Sequence, residues 1–302
     1  YFARCCITMK KLHLFLIIVA IVVPIFIGIM INQQTIKLTG VLVDLEFGPP
    51  DPQRHISLRK VLTDKIKDTA EGIRLSILLR YVHFLEMSES DVDPQRVDFI
   101  LLSPQSIPWH VYERECQQDI NRLKELLKST IRDYHVPVLG ICGGHQFLAM
   151  TFGGSVGFID PKFDEIKPDA YPKFALVERG EAILETLADD PLFRGVVKHP
   201  GSFNVSESHF EEVKKAPKPF VNLASSAVSE IQLLRLPERL VYGFAFHPER
   251  GWEQFNEKQG DAAPGKKLLQ NFFSLVINDK QNKSKNPSKL IVHRTHNNGV
   301  LP

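Results

Sequence analysis

The apolar run Val136-Pro137-Val138-Leu139 passes directly into Gly140-Ile141-Cys142-Gly143-Gly144-His145-Gln146 and then into the helix-forming stretch Phe147-Leu148-Ala149-Met150. A short buried strand must therefore end in a tight turn that opens a helix, and few folds supply that geometry. The glycines allow a turn that a Cβ would block, and the turn pushes one side chain out at the head of the helix. Backbone N–H groups and the positive helix end at that point lower a thiol pKa and stabilise an oxyanion. The alternative is a glycine-rich turn around a buried, inert cysteine.

A second segment bears on that choice. Residues 241–249 read Val-Tyr-Gly-Phe-Ala-Phe-His-Pro-Glu, with Phe244 and Phe246 alternating with smaller residues as on a strand entering a core. His247 precedes a proline, which biases it towards extended backbone. Residues two apart on an extended segment point the same way. His247 and Glu249 can therefore face one site, the carboxylate orienting the imidazole. Cys142 is the nucleophile that such a pair needs.

Through these two motifs the chain resembles the class I, triad-type glutamine amidotransferases. A third stretch, residues 204–226 with Ser208-His209 and the downstream Val221, Pro219 and Ala224-Ser225, is similar to that family's Ser-His segment. The resemblance covers residues 39–279. It implies that Cys142 attacks the side-chain amide of glutamine, that His247 shuttles the proton and that Glu249 orients His247. The products are then glutamate and ammonia, through a γ-glutamyl thioester. By the same resemblance Gln146 contacts the bound glutamine, the N–H of Gly143 is one oxyanion donor, and Ser208 and His209 lie near the substrate's amino-acid end. The family usually has Ser-Gly-Gly-Pro in the loop that supplies the other oxyanion N–H. Here the strand-like Val97–Leu102 is followed by Ser103-Pro104-Gln105-Ser106. Pro104 has no N–H to give, so Gln105 is the remaining donor, provided a residue with a Cβ fits there. Losing one such donor costs about 10²–10³ in rate.

The 302 residues are 43% hydrophobic and 24% charged, ordinary globular composition with room for one large α/β domain. A net charge of +2 points to no nucleic-acid partner. The cysteines at 5, 6, 116 and 142 fit neither a zinc spacing nor a disulfide framework. Cys116 falls on the apolar stripe Cys116, Ile120, Leu123, Leu127, Ile131 of a helix and reads as core. His293 and His296 sit in a polar tail and read as unstructured rather than metal-binding. The expectation is therefore an enzyme with neither metal nor cofactor.

Leu12 to Ile31 is a twenty-residue apolar run broken only by His13, Pro24 and Gly28, long enough to span a bilayer. Ile29-Met30-Ile31-Asn32 offers no signal-peptide cleavage site, which favours an uncleaved anchor. Met9-Lys10-Lys11 looks like a natural start, so residues 1–8 read as an extension of the frame. Arg4, Lys10 and Lys11 precede the run and only Lys37 closely follows, which places the N-terminus in the cytoplasm and the domain outside. A cytoplasmic domain, where glutamine and a synthetase are found, is the competing orientation.

The expected organisation is an N-terminal segment (1–11), an anchor (12–31), a linker (32–38), the amidotransferase-like domain (39–279) and a disordered tail (280–302). Strands are expected at 39–46, between 80 and 86, at 97–102, 136–142 and 239–246, with short strands and turns through 155–240, and helices at 57–79, 110–133, 144–152, 181–187 and 264–278. The expected fold is α/β and flavodoxin-like, a mainly parallel sheet with helices on both faces, preceded by one transmembrane helix. The expected function is a glutamine amidotransferase-like hydrolase that either passes ammonia to a separate synthetase subunit or acts as a free-standing hydrolase. A γ-glutamyl peptidase of the same fold is one alternative, and a catalytically impaired scaffold or sensor at the membrane is another.

Overall fold

A computed structural model describes residues 35–50, 75–170, 176–250 and 263–285. Its centre is a seven-stranded sheet. Five strands run parallel in the order β2 (Leu75–His83), β1 (Ile36–Asp44), β3 (Phe99–Leu102), β4 (Val138–Ile141) and β12 (Val241–Phe244). Two antiparallel strands, β11 (Leu233–Leu236) and β9 (Val221–Asn222), extend the far edge. This is the doubly wound, flavodoxin-like order, in which sites form at the carboxyl ends of the strands. A small sheet of β10 (Ala224–Ser225), β6 (Glu178–Thr186) and β7 (Ser202–His209) and a pair of β5 (Ser155–Phe158) with β8 (Glu211–Lys215) flank that end.

The pleat divides each central strand between two cores. Leu38 and Leu42 of β1, Phe99 and Leu101 of β3, and Tyr242 and Phe244 of β12 face one layer, closed by Leu268, Leu269, Phe272, Phe273 and Val276 of helix α5 (Pro264–Lys285). Val41 and Val43, Ile100 and Leu102, and Val138 face the other. Helices α1 (Trp109–Glu115), α2 (Gln117–Tyr134) and α3 (Gly143–Thr151) cover that face, α2 through Ile120, Leu123, Leu127 and Ile131. Each such side chain contributes about 1.5–3 kcal/mol by leaving water. A short helix α4 (Lys162–Ile166) lies outside both cores.

Several expectations are corrected. The helix expected at 181–187 is part of β6, which pairs with β7 from Glu178↔His209 to Glu185↔Ser202. Along it Leu184 is buried and Ile183 exposed, a period of two that the local helix-forming composition conceals. Residues 75–79 belong to β2, zipped to β1, while 57–74 lie outside the described residues. The helix expected at 110–133 breaks at Cys116 (φ −131°), half-buried against the core, into α1 and α2. The last helix runs on to Lys285, into the stretch expected to be disordered. Lys280 ties it to the Lys37 carbonyl and Asp98, and Lys283 to the His135 carbonyl.

The expectation of a membrane-anchored protein with an external domain is also overturned. No described helix is long and apolar enough to cross a membrane. The two longest, α2 with 18 residues and α5 with 22, carry charged residues along their length. The run at 12–31, the segment 1–11 and the tail from 286 with His293 and His296 lie outside the described residues.

Close approach, not dihedral freedom, makes glycine necessary at position 144. A Cβ there would lie 2.4 Å from the Leu102 carbonyl oxygen, an atom of the sheet backbone. Gly144→Ala is expected to lower stability by about 1–3 kcal/mol through overpacking, outweighing the gain of up to about 1 kcal/mol in helix propensity. Thermal unfolding checks it, and a melting temperature equal to wild type contradicts it.

Candidate active site

Strand β4 ends at Ile141, and Cys142 adopts φ 51° and ψ −105°. Among the described residues only His135 and Lys167 share positive φ without being glycine. The flanking glycines do not carry the unusual dihedral; the cysteine does. Its N–H donates to the Phe244 carbonyl (2.7 Å) and its carbonyl accepts from Gln146 N (3.1 Å), so it is fixed to β12 on one side and opens α3 on the other. Its thiol lies 4.0 Å from the Ser208 carbonyl oxygen. Such a conformation costs on the order of 1–3 kcal/mol and persists where surrounding structure enforces it.

His247 follows β12 and donates its N–H to the Ser206 carbonyl of β7 (2.8 Å). Its Nδ1 lies 2.7 Å from Glu249 Oε1, which leaves Nε2 for the Cys142 thiol. Both His247 and Glu249 are buried. Burial opposes the imidazolium, but the Glu249 charge and the hydrogen bond to Cys142 outweigh it and push His247 up to about 10. Burial would raise Glu249, yet the His247 charge and hydrogen bond hold it below the usual carboxylate range. The structure thus brings Cys142, His247 and Glu249 together as a thiol, a base and an orienting carboxylate.

The altered loop sits against this centre. Gln105 packs over the helix start: a Cβ on Gly143 would lie 2.8 Å from Gln105 N and 2.4 Å from its Cγ. Gln105 is absent from the positive-φ residues, so its Cβ fits without backbone strain. Ser103 holds the loop in place, its hydroxyl accepting from Leu45 N (2.9 Å) and donating to the Pro104 carbonyl (2.7 Å). Gln146 is fully engaged. Its carbonyl accepts from Trp109 Nε1 (2.7 Å) and, at 3.4 Å, from Gln105 Nε2, while its amide donates to the Glu211 carbonyl (2.6 Å). A cavity of about 310 Å³ opens beside the triad, lined by Gln105, Arg179, Ser208, His209, His247 and Arg250 among others.

The sequence model of the class-I glutamine amidotransferases matches residues 70–259. The chain belongs to that family. A subunit of the glutamine-hydrolyzing GMP synthase of Archaeoglobus fulgidus is 32% identical over 145 residues, 48% of this chain and 64% of the relative. The corresponding subunit from Pyrococcus abyssi is 38% identical over 117 residues, 39% of this chain and 53% of the relative. The chain therefore spans about half to two thirds of the length of these curated relatives. A solved Thermoplasma acidophilum protein assigned as a GMP synthase subunit superposes with a TM-score of 0.55 at 21% identity, covering 82% of this chain and 98% of that one. A Thermotoga maritima glutamine amidotransferase gives 0.51 at 19% identity, covering 79% and 98%. These two likenesses concern the fold.

In this amidotransferase chain two sets contain residues that the sequence motifs leave unmarked: Glu211 in one, and Glu178 with Glu207 in the other. Glu211 accepts from Trp109 N (3.1 Å) and its carbonyl takes both Gln146 Nε2 and His209 Nδ1, so it joins the start of α1, α3 and β7. The other set is the buried group Glu178, Glu207 and His209, whose ligand-type atoms all lie within 4.8 Å of one another. Glu207 and His209 lie two apart on one face of β7, and the pairing of β6 with β7 brings Glu178 to them. Burial opposes the His209 imidazolium, but Glu178 and Glu207 hold it well above its ordinary value.

Burial pushes the Glu211 carboxyl up to about 8, against the Trp109 N–H and Gln105, which lower it. The folded chain keeps that proton up to about pH 8, whereas the unfolded chain loses it near the ordinary 4.5. In between the unfolded state binds fewer protons, so this group makes stability fall as pH rises from about 4.5 to about 8. Glu211→Gln removes that dependence. Relative to wild type it is expected to gain about 1–3 kcal/mol on going from pH 5 to pH 8, several degrees in Tm. The same Tm difference at both pH values contradicts this.

Proposed function

We propose that the chain hydrolyses the side-chain amide of glutamine by nucleophilic catalysis. The observation that carries this reading is Cys142, held at positive φ at the head of α3 and hydrogen-bonded to a His247 whose other nitrogen is 2.7 Å from Glu249. The Cys142 thiolate adds to the amide carbon, and the N–H groups of Gly143 and Gln105 receive the oxyanion. The fit of Gln105 at ordinary backbone dihedrals beside Gly143 supports that pairing. His247 then gives its proton to the leaving nitrogen, releasing ammonia and a γ-glutamyl thioester. His247 next takes a proton from water, which adds to the thioester and frees glutamate and the thiol. Ser208 and His209 line the cavity where the amino-acid end would lie. Gln146, which the family resemblance makes a contact of the bound glutamine, bears on the cavity here by anchoring the Gln105 side chain that lines it.

Ammonia must then reach an acceptor. The relatives are named as one subunit of a GMP synthase, which supports delivery to a separate synthetase subunit. A second reading, hydrolysis of a γ-glutamyl compound that carries a further carboxylate, is favoured by the two guanidinium groups, Arg179 and Arg250, on the cavity wall.

Glutamate release from glutamine and from γ-glutamyl peptides, measured side by side, tests both. Glutamine is the expected substrate, with Cys142→Ala lowering the rate by more than about 10³-fold. Equal rates in wild type and Cys142→Ala would sink the mechanism. Faster release from γ-glutamyl peptides than from glutamine would move the assignment to a peptidase.

A further inference from the structure

We propose that Glu178, Glu207 and His209 bind one divalent transition-metal cation of the zinc type, as a site separate from the catalytic triad. The three side chains come from β6 and β7, which face each other through the register Glu178↔His209. His209 Nε2 lies 3.3 Å from Glu178 Oε2 and 3.1 Å from Glu207 Oε2. A tetrahedral shell with bonds of about 2.0–2.2 Å sets its ligand atoms roughly 3.3–3.5 Å apart; both distances from Nε2 are close to that, and the two carboxylate oxygens, within 4.8 Å of each other, close on the cation.

Outer contacts already orient the ligands. His209 Nδ1 donates to the Glu211 carbonyl (3.0 Å), which leaves Nε2 as the atom facing the carboxylates. A ligating histidine commonly makes that second bond. Gln232 Nε2 donates to the same Glu178 Oε2 (2.7 Å), which fixes that oxygen and leaves its second lone pair for the cation.

Charge and hydrogen bonding both leave something to satisfy. The Glu207 side chain is 0% exposed. Beyond the ionic contact with His209, neither of its carboxylate oxygens has a hydrogen-bond partner among the described residues. Two carboxylates and one imidazole are buried together here. A dication with two carboxylates and a neutral imidazole is balanced. Binding releases the proton on His209 Nε2 and any proton that burial retains on Glu207. His209 also lines the cavity beside His247, which gives the cation a route in.

The triad offers a competing thiol, so the test uses the whole chain with Cys142→Ala, stripped by chelation and titrated calorimetrically with zinc chloride. One equivalent of zinc is expected to bind. Glu207→Gln and Glu178→Gln, added separately, are each expected to weaken it by at least about 100-fold. Circular dichroism of the stripped proteins identifies a variant that has failed to fold, in which case the other decides. No binding at one equivalent, or binding that survives both substitutions, overturns the proposal.

Discussion

The backbone of Cys142 is the constraint on which the rest of the site depends. A β-strand cannot run into a helix without a sharp change of direction, and here one residue with a side chain absorbs it at φ 51°, ψ −105°. The cost, on the order of 1–3 kcal/mol, is offset by what surrounds it: hydrogen bonds to Phe244 and Gln146 and a sheet whose inner strands are buried on both faces. The glycines serve a different purpose. They let α3 lie against Leu102 and let the Gln105 loop lie against Gly143. The thiol is therefore aimed by the core of the fold rather than by a mobile loop.

Strand β7 makes the second half of the constellation consistent with the first. Its Ser208 carbonyl faces the thiol and its Ser206 carbonyl holds the His247 backbone. One strand thus registers nucleophile and base, although they come from different strands of the main sheet. Behind it Glu211 joins Trp109, Gln146 and His209 through four hydrogen-bond contacts.

The meeting of Cys142, His247 and Glu249 was legible in the sequence because each lies within a short motif that carries its own geometry. A strand entering glycines around Cys142, and a His-Pro-Glu after an apolar run, need little from the rest of the chain. The parallel sheet and its two helical layers were legible for the same reason, from alternating runs and the stripe on α2. What failed was information that only pairing creates. Residues 181–187 have helix-forming composition, and the β7 partner makes them a strand. Glu207 and His209 share one face of β7, but Glu178 is distant along the chain and joins them only through the pairing of β6 with β7. The end of the last helix was misplaced because Lys280 and Lys283 find carbonyls and a carboxylate on distant segments. The apolar run at 12–31 suggested an anchor by length alone, and nothing described in the fold extends it.

The central claim is that the turn after β4 presents a working nucleophile addressed to a glutamine-like substrate. The most direct measurement is mass-spectrometric mapping of the chain after exposure to an electrophilic glutamine analogue near neutral pH. A single adduct on Cys142 is expected, slowed by added glutamine and strongly reduced in His247→Ala, with Cys116 unlabelled because burial pushes its thiol up. An unlabelled Cys142, or labelling of Cys116 at the same rate, would contradict it.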